Sequence, residues 1–380
     1  MPVIGVVKET LPGETRVALI PQSVGQLVRD KHSVVVQKGA GASASFSDDQ
    51  YEAAGATIVP DAASVFGRAD LLVKVHPPSP HEVTSLRSGS IYLGFLSPAA
   101  HPAIVRSLAQ QSVTAFAMEY VPRVSRAQSM DALSSMATVA GYRSVLIAAQ
   151  ATGKMFPLLM TAAGTVPPAT VLVLGAGVAG LQAIATAKRL GARVEAFDPR
   201  PAVAEQIRSL GATFVDMELP KEDVEAAGGY AKELSAEFLK KEQDAIASRL
   251  PKVHIVITTA QVFGQRAPIL ITSDMVPLIP RGGVIVDLAS ESGGNCELTE
   301  TGKTIDRHGI TIIGAVNVPA TVPIDASQLY SRNIYNLLKH MYPTVDTPTQ
   351  PDEEILKAAC LTRNGMIVNE AVRALVEQGR

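Results

Sequence analysis

Tryptophan is absent, aromatic residues make up only 4% of the chain, and the 380 residues include just two cysteines, Cys296 and Cys360. Two cysteines supply neither a disulfide framework nor a metal cluster, and they suit a reducing cytoplasm. The seven histidines, His32, His76, His81, His101, His254, His308 and His340, share no motif and show no metal-ligand spacing. Blocks of like charge are missing too: 34 Lys and Arg against 36 Asp and Glu give a formal net charge of −2. Phosphate backbones need a concentrated basic surface, so nucleic acid is excluded as a partner. The N-terminal MPVIGVVKE lacks the basic-then-apolar layout of a secretory signal.

What is present is apolar material for two cores. Hydrophobic residues form 47% of a chain too long for one ordinary core, which points to two domains. One uncharged stretch, residues 155–187, exceeds the length of a membrane span. Pro157, Pro167, Pro168 and four glycines divide it. It therefore reads as helix end, loop, buried strand, tight turn and buried helix, and no segment is expected to cross a bilayer.

Along the first third, short runs rich in Val, Ile and aromatics predict strands at 3–7, 33–37, 71–75, 91–96 and 113–118. Amphipathic segments at 22–30, 48–54, 62–66 and 100–110 predict helices between them. Such alternation argues for a parallel sheet with right-handed crossovers. Residues 131–151 form a proline-free helical run suited to linking two domains. A second series follows, with strands at 171–174, 193–197, 213–215, 254–258, 284–288 and 310–313. A charged insertion at 217–250 reads as an exposed loop followed by a surface helix, and 325–339 as a further helix. The predicted fold is α/β, with two Rossmann-like domains of parallel sheets joined by a long helix, and a cleft between them. The expected boundaries are 1–135, 136–321 and a C-terminal segment, 322–380, packing back on the first domain.

The run GAGVAG at 175–180 comes in full dinucleotide-binding context: a strand leads into it, an apolar helix follows, and a second strand ends in Asp198. Gly175 permits the tight turn, Gly177 lets backbone amides approach a pyrophosphate at the helix N-terminus, and Gly180 allows close helix–sheet packing. Asp198 lies 18 residues past the last glycine, where its carboxylate can accept hydrogen bonds from both ribose hydroxyls. That charge repels a 2′-phosphate and favours NAD over NADP. Arg200, two residues on, argues the other way or caps an adenine from outside.

A polar segment, PRVSRAQSMD at 122–131 and on to Ser134, separates a strand from the long helix. Arg123, Gln128, Asp131 and Ser134 either cluster near the interdomain cleft or form a solvated loop in which Ser129 or Asp131 caps the helix. The RAQSMD segment, MTAAGTVPPA at 160–169 and AGGYAKE at 227–233 together resemble the NAD(H)-binding components of proton-translocating NAD(P) transhydrogenases. KETLPGETRVALIP at 8–21 is similar to that family and to the related alanine dehydrogenases. The resemblance covers essentially the whole chain, and the Arg-Gln-Asp loop motif belongs to the transhydrogenase branch.

The resemblance implies a homodimer that holds NAD(H) and is peripheral on the cytoplasmic, inner face of the cell membrane. A membrane component would conduct protons, and a separate NADP(H)-binding domain would present the acceptor. With no span expected here, the membrane component lies on another polypeptide, or the sequence is part of a longer chain. Carried over position by position, Arg123, Gln128, Asp131 and Ser134 hold and orient the nicotinamide, with Arg123, Gln128 and Asp131 at the transfer site. Gly175, Gly177, Val178, Gly180 and Asp198 bind the pyrophosphate and adenosine ribose. Tyr230, beside Gly228 and Gly229, sits on a loop that closes over the nucleotide. Without the resemblance, that tyrosine reads equally as a lid residue or as part of a solvated loop.

Direct hydride transfer between two nicotinamides needs no general acid or base; it needs positioning and exclusion of water. The rival is an alanine-dehydrogenase-like oxidoreductase. Two substrate-site positions of that family have counterparts in Arg16 and Lys74, which either grip a carboxylate and a carbonyl or form structural ion pairs, the favoured reading. Its catalytic histidine, after Tyr-Leu, has no counterpart in IYLGFLS at 91–97, and its catalytic aspartate position holds Glu291. His76 is the one remaining histidine close to Lys74. A third reading, nucleotide binding without catalysis, is separated from the first by stimulation with an NADP-loaded partner.

Overall fold

Short β-branched runs separated by amphipathic segments become parallel strands with helical crossovers in both halves of this chain. The computed structural model describes residues 2–216, 235–262, 264–344, 349–350 and 352–377. They form two compact units, Met1–Met136 with Ala320–Arg380, and Ala137–Pro319.

In the first unit, six strands run parallel: β1 (Val3–Val6), β2 (Ser33–Gln37), β3 (Thr57–Val59), β4 (Leu71–Val73), β5 (Ile91–Gly94) and β6 (Thr114–Ala117). Their spatial order is β3-β2-β1-β4-β5-β6, so the winding reverses between β1 and β4. Ile4, Val6, Leu71, Val73 and Leu93 are fully buried, as strands covered on both faces require. Crossover helices include Pro21–Arg29, Ala62–Arg68 and Pro102–Gln110. Ser47 and Ser79 each start a helix with a capping box, through Gln50 and Glu82.

A single helix, Ala132–Ala151, leaves this unit and continues into the second. It is long and apolar enough to span a membrane by length and composition, but Val145 and Ala148 belong to the second unit's core. Its N-terminus falls one residue after Asp131, which caps it.

The second unit opens with a hairpin, β7 (Leu159–Thr161) and β8 (Gly164–Val166), every residue of which is exposed. The sequence reading placed a helix end and loop here. A strand pair open to solvent on both faces has no alternation to betray it. The main sheet comprises β9 (Thr170–Leu174), β10 (Arg193–Phe197), β11 (Thr213–Phe214), β12 (Ile255–Thr258), β13 (Val284–Asp287), β14 (Thr304–Arg307) and β15 (Ile310–Gly314). The order is β11-β10-β9-β12-β13-β15-β14, with only β14 antiparallel. Here the winding reverses between β9 and β12. All five residues of β9 and all four of β12 and β13 are buried. Each buried Val, Leu or Ile contributes roughly 1.5–3 kcal/mol, so this central trio fixes the strand ends rigidly.

The chain then returns to the first unit. Helix Pro323–Met341 follows, and β16 (Cys360–Arg363) pairs antiparallel with β6, with β17 (Met366–Ile367) antiparallel at the edge.

Candidate functional site

Ligands of open α/β sheets bind beyond the carboxyl ends of the strands, where the winding reverses. In the second unit, that position is the turn from β9 into helix Val178–Arg189. Gly175 adopts φ +89°, in the left-handed region that favours glycine, and its N–H donates to the Phe197 carbonyl at 2.9 Å. Gly180 is demanded by close approach, since a Cβ there would lie 1.9 Å from the Gly175 carbonyl oxygen. Gly177 caps the helix, and nothing lies within 4 Å of where its Cβ would stand. Val178, the first helical residue, is partly open to solvent. The helix N-terminus thus faces free space with its amides unencumbered by side chains, and a dinucleotide pyrophosphate fits such a cradle.

Asp198 stands at the end of β10 and is buried. Its Oδ2 accepts from the Ala176 N–H at 2.8 Å, tying the acid to the glycine turn. Arg200 folds back on the same carboxylate, with Nε donating to Oδ1 at 2.8 Å and Nη2 to Oδ2 at 2.7 Å. Its backbone N–H adds a bond to Oδ1 at 3.0 Å. The guanidinium therefore neutralises Asp198 in this arrangement.

A second acidic group lies near. Helix Ala236–Arg249 buries Phe238, Glu242 and Ile246 along one face. Burial, and then the charge of Asp198, push the Glu242 carboxyl up to about 8 from its ordinary 4.5. Its Oε2 has no hydrogen-bond partner among the described residues. Nothing in the sequence marked this glutamate apart from its charged neighbours.

The opposite wall of the cradle is the segment after β12. Thr259 Oγ1 donates to the Gly175 carbonyl at 2.9 Å, and a Cβ on Gly175 would meet that hydroxyl oxygen at 2.9 Å. Gly141, on the linking helix, is likewise held by proximity: a Cβ there would stand 2.1 Å from the Ala179 carbonyl oxygen. Thr259, Ala260 and Gly141 escaped the sequence reading, although a glycine inside a predicted helix is a usable sign of close packing.

In the first unit, the polar segment forms a local cluster. Asp131 caps the linking helix, accepting from the Ser134 N–H at 2.8 Å and from Ser134 Oγ at 2.6 Å. Arg123 Nε lies 3.8 Å from Asp131 Oδ2. Gln128 is exposed on the short helix Ser125–Met130, and its carbonyl accepts from the Asp131 N–H at 3.3 Å. Asp131 caps the helix and gathers Ser134 and Arg123, while Gln128 joins them only through its backbone carbonyl. Tyr230, Gly228 and Gly229 lie outside the described residues.

The first unit's reversal, between β1 and β4, is filled by paired charges. Arg16 makes a two-pronged contact with Glu14, at 2.8 and 2.7 Å, and His76 Nε2 approaches the same carboxylate at 2.5 Å. Buried Lys74 donates to Glu82 at 2.6 Å and lies 3.8 Å from Glu9. Glu9 accepts from the Val75 N–H at 2.6 Å, and burial raises its carboxyl despite Lys74. Arg16 and Lys74 are structural ion pairs in this arrangement. At position 94, in place of a histidine, a Cβ would lie 2.5 Å from the Lys74 carbonyl oxygen. Glu291 is exposed, and its Oε2 accepts from the Asn317 N–H at 3.3 Å. Among the described residues, no three His, Cys, Asp or Glu side chains group as a metal site.

Comparison with known proteins gives a consistent picture. The family Alanine dehydrogenase/PNT, N-terminal domain, matches residues 5–140, and its C-terminal domain matches residues 144–370. The first part of the NAD(P) transhydrogenase subunit alpha of Rhodospirillum rubrum is 48% identical over 97% of this chain and 98% of its own. Alanine dehydrogenase of Bacillus subtilis is 30% identical over 97% of this chain and 93% of its own. The crystal structure of transhydrogenase from Sinorhizobium meliloti superposes with a TM-score of 0.88 at 41% identity, covering 96% of this chain and 100% of that one.

Proposed function

The chain belongs to the alanine dehydrogenase/PNT family and groups with its NAD(P) transhydrogenase alpha subunits, and on that premise we propose that it is the NAD(H)-binding component of a proton-translocating NAD(P) transhydrogenase. The observation that carries this reading over amino-acid oxidation is the state of the first unit's reversal. Arg16 and Lys74 are already matched by Glu14 and Glu82, and position 94 has no room for any side chain. Alanine oxidation needs a proton acceptor there, and the nearby imidazole, His76, is engaged by Glu14. Hydride transfer between nicotinamides needs only positioning, for which the second unit has a built cradle.

The reduced nicotinamide supplies the hydride when bound. The helix N-terminus at Gly177 and Val178 holds the pyrophosphate, and Gly175 and Gly180 shape the turn that brings the amides to it. Asp198 takes the adenosine ribose as Arg200 swings aside, and its charge disfavours a 2′-phosphate. Arg123, Gln128, Asp131 and Ser134 orient the nicotinamide, with the Asp131–Ser134 cap keeping that segment in register. The acceptor, NADP⁺, is presented by a separate domain, and a membrane component couples the transfer to proton movement. The chain works peripherally on the cytoplasmic face of the membrane. A homodimer is supported by the exposed hairpin, where Leu158, Leu159, Met160 and Val166 carry apolar surface that a second copy would bury.

The test is a paired assay on the purified chain. Supplied with NADH and a separately prepared NADP⁺-loaded partner domain, it transfers hydride, and Gln128→Ala or Asp131→Asn lowers the rate. Supplied with NAD⁺ and L-alanine, it gives no NADH. Alanine-dependent NADH production would overturn the reading.

A further inference from the structure

Asn295 stands in the segment SGGNC at 292–296, to which the nucleotide reading gives no role. Its side chain is fully buried and pairs with the Ala260 peptide as a neighbouring strand would. Nδ2 donates to the Ala260 carbonyl at 2.9 Å, and the Ala260 N–H donates to Oδ1 at 3.0 Å. A second Nδ2 hydrogen reaches the Pro268 carbonyl at 2.8 Å. Asn295 is itself fixed from below: its backbone N–H donates to Asp287 Oδ2 at 2.8 Å. The other Asp287 oxygen accepts from Thr258 Oγ1 and the Ala289 N–H, both at 2.9 Å.

The location of this clamp gives it consequence. The ladder between β9 and β12 ends at Leu174 and Thr258, with the Thr259 N–H making one more bond to the Leu174 carbonyl at 2.8 Å. Beyond it, the Ala260 peptide is the wall of the cradle: a Cβ on Gly175 would meet the Ala260 nitrogen at 3.0 Å. The Asn295 amide supplies the pairing that the sheet no longer does. Only a group with both donor and acceptor in one plane can do so. A carboxylate would face the Ala260 and Pro268 carbonyls with no proton to give, and an apolar chain would leave both Ala260 groups unpaired.

We propose that Asn295 is a positioning residue for the dinucleotide, setting the wall opposite the Gly175 turn through the Ala260 backbone. The proposal rests on the reading that this turn holds NAD(H).

The test compares Asn295→Ala with Thr299→Val in the full chain. Thr299→Val removes a bond to the same Asp287, of 2.7 Å, without touching Ala260. NADH affinity is read by fluorescence titration, stability by thermal unfolding, and local order by hydrogen–deuterium exchange of the nucleotide-free protein. Asn295→Ala is expected to weaken NADH binding about tenfold, as loss of a well-placed buried hydrogen-bond pair does. It should also speed exchange at residues 259–261. Thr299→Val should lower the melting temperature comparably while leaving affinity and that exchange at wild-type levels. If Asn295→Ala does not fold, Asn295→Asp, which keeps the acceptor and loses the donors, takes its place. Equal effects of the two sites on affinity and exchange would overturn the proposal, as would wild-type affinity in the Asn295 variant. A wild-type chain that binds no NADH would instead defeat the nucleotide reading, and the exchange comparison would still decide whether the clamp exists.

Discussion

Glu242 offers the sharpest physical test of the second unit. Its carboxyl is 2% exposed and titrates at about 8, while the unfolded chain ionises near 4.5. Between those values the folded protein holds a proton that unfolding releases. Stability from this group is therefore intact below pH 4.5 and is lost as pH rises toward 8. The slope is about 1.4 kcal/mol per pH unit within that window and flattens above it, so wild type loses roughly 2.5 kcal/mol between pH 6 and pH 9 from this residue alone. Glu242→Gln keeps the shape and removes the titration. For a unit of this size, the variant should gain roughly 5–10 °C in melting temperature relative to wild type on going from pH 6 to pH 9. Calorimetry across that range, at constant ionic strength, measures the difference between the two profiles and cancels every other titrating group. Parallel profiles would refute the argument, because they would mean that Glu242 is ionised in the folded protein at neutral pH.

Other substitutions probe particular contacts. Gly180→Ala puts a Cβ 1.9 Å from the Gly175 carbonyl oxygen, so the turn must open; a loss of about 1–3 kcal/mol in urea unfolding, with a larger loss of NADH affinity, is expected. Asp131→Ala removes the helix cap and should cost about 1 kcal/mol in thermal unfolding. Asp131→Asn keeps an acceptor for Ser134 but not the charge facing Arg123, and should be nearly neutral for stability while slowing hydride transfer. Lys74→Met strands the buried Glu9 and Glu82 and should cost about 3–5 kcal/mol by urea titration. Adding Glu82→Gln to it should recover some of that loss, and an unchanged double variant would mean the pair is not coupled.

Much of this architecture was legible because its signals are local. Runs such as VLVL and VIVD are too apolar to be anything but covered strands, and the GAGVAG turn sits where strand, helix and acid follow in order. The linking helix shows in twenty residues without proline, and its start was misjudged by only the residue that caps it. What escaped notice lacks a local signature. The β7–β8 hairpin faces solvent throughout, and β3 and β14 are short strands at the sheet edges. At the candidate site, the glycines and Asp198 belong to one contiguous pattern, whereas Asn295 works through the backbone of a residue 35 positions away. No spacing rule announces a side chain whose contribution is two bonds to another peptide. Glu242 is hidden for a related reason, since the charged residues around it, Lys240, Lys241 and Asp244, are exposed while it turns inward with Phe238 and Ile246.

The two units share the winding of their first five strands, β3-β2-β1-β4-β5 and β11-β10-β9-β12-β13, yet treat the reversal point in opposite ways, and the cause lies in the residues that leave the first strand. After β9 come glycines, which add no side chain to the crevice, so the helix N-terminus opens onto space. After β1 comes Val7-Lys8-Glu9, and Glu9 reaches across to the Val75 amide at the end of β4. Its carboxyl group, with those of Glu14 and Glu82, meets Lys74, Arg16 and His76, so the polar groups at this reversal are already partnered within the chain. Buried pairs of this kind add little to stability compared with apolar packing, but breaking one partner is costly. Any anion entering would have to compete with Glu14 for Arg16, and Glu14 is held from a second side by His76. On the proposed reading nucleotide binding falls to the second unit, where the same turn is built of glycine rather than charge.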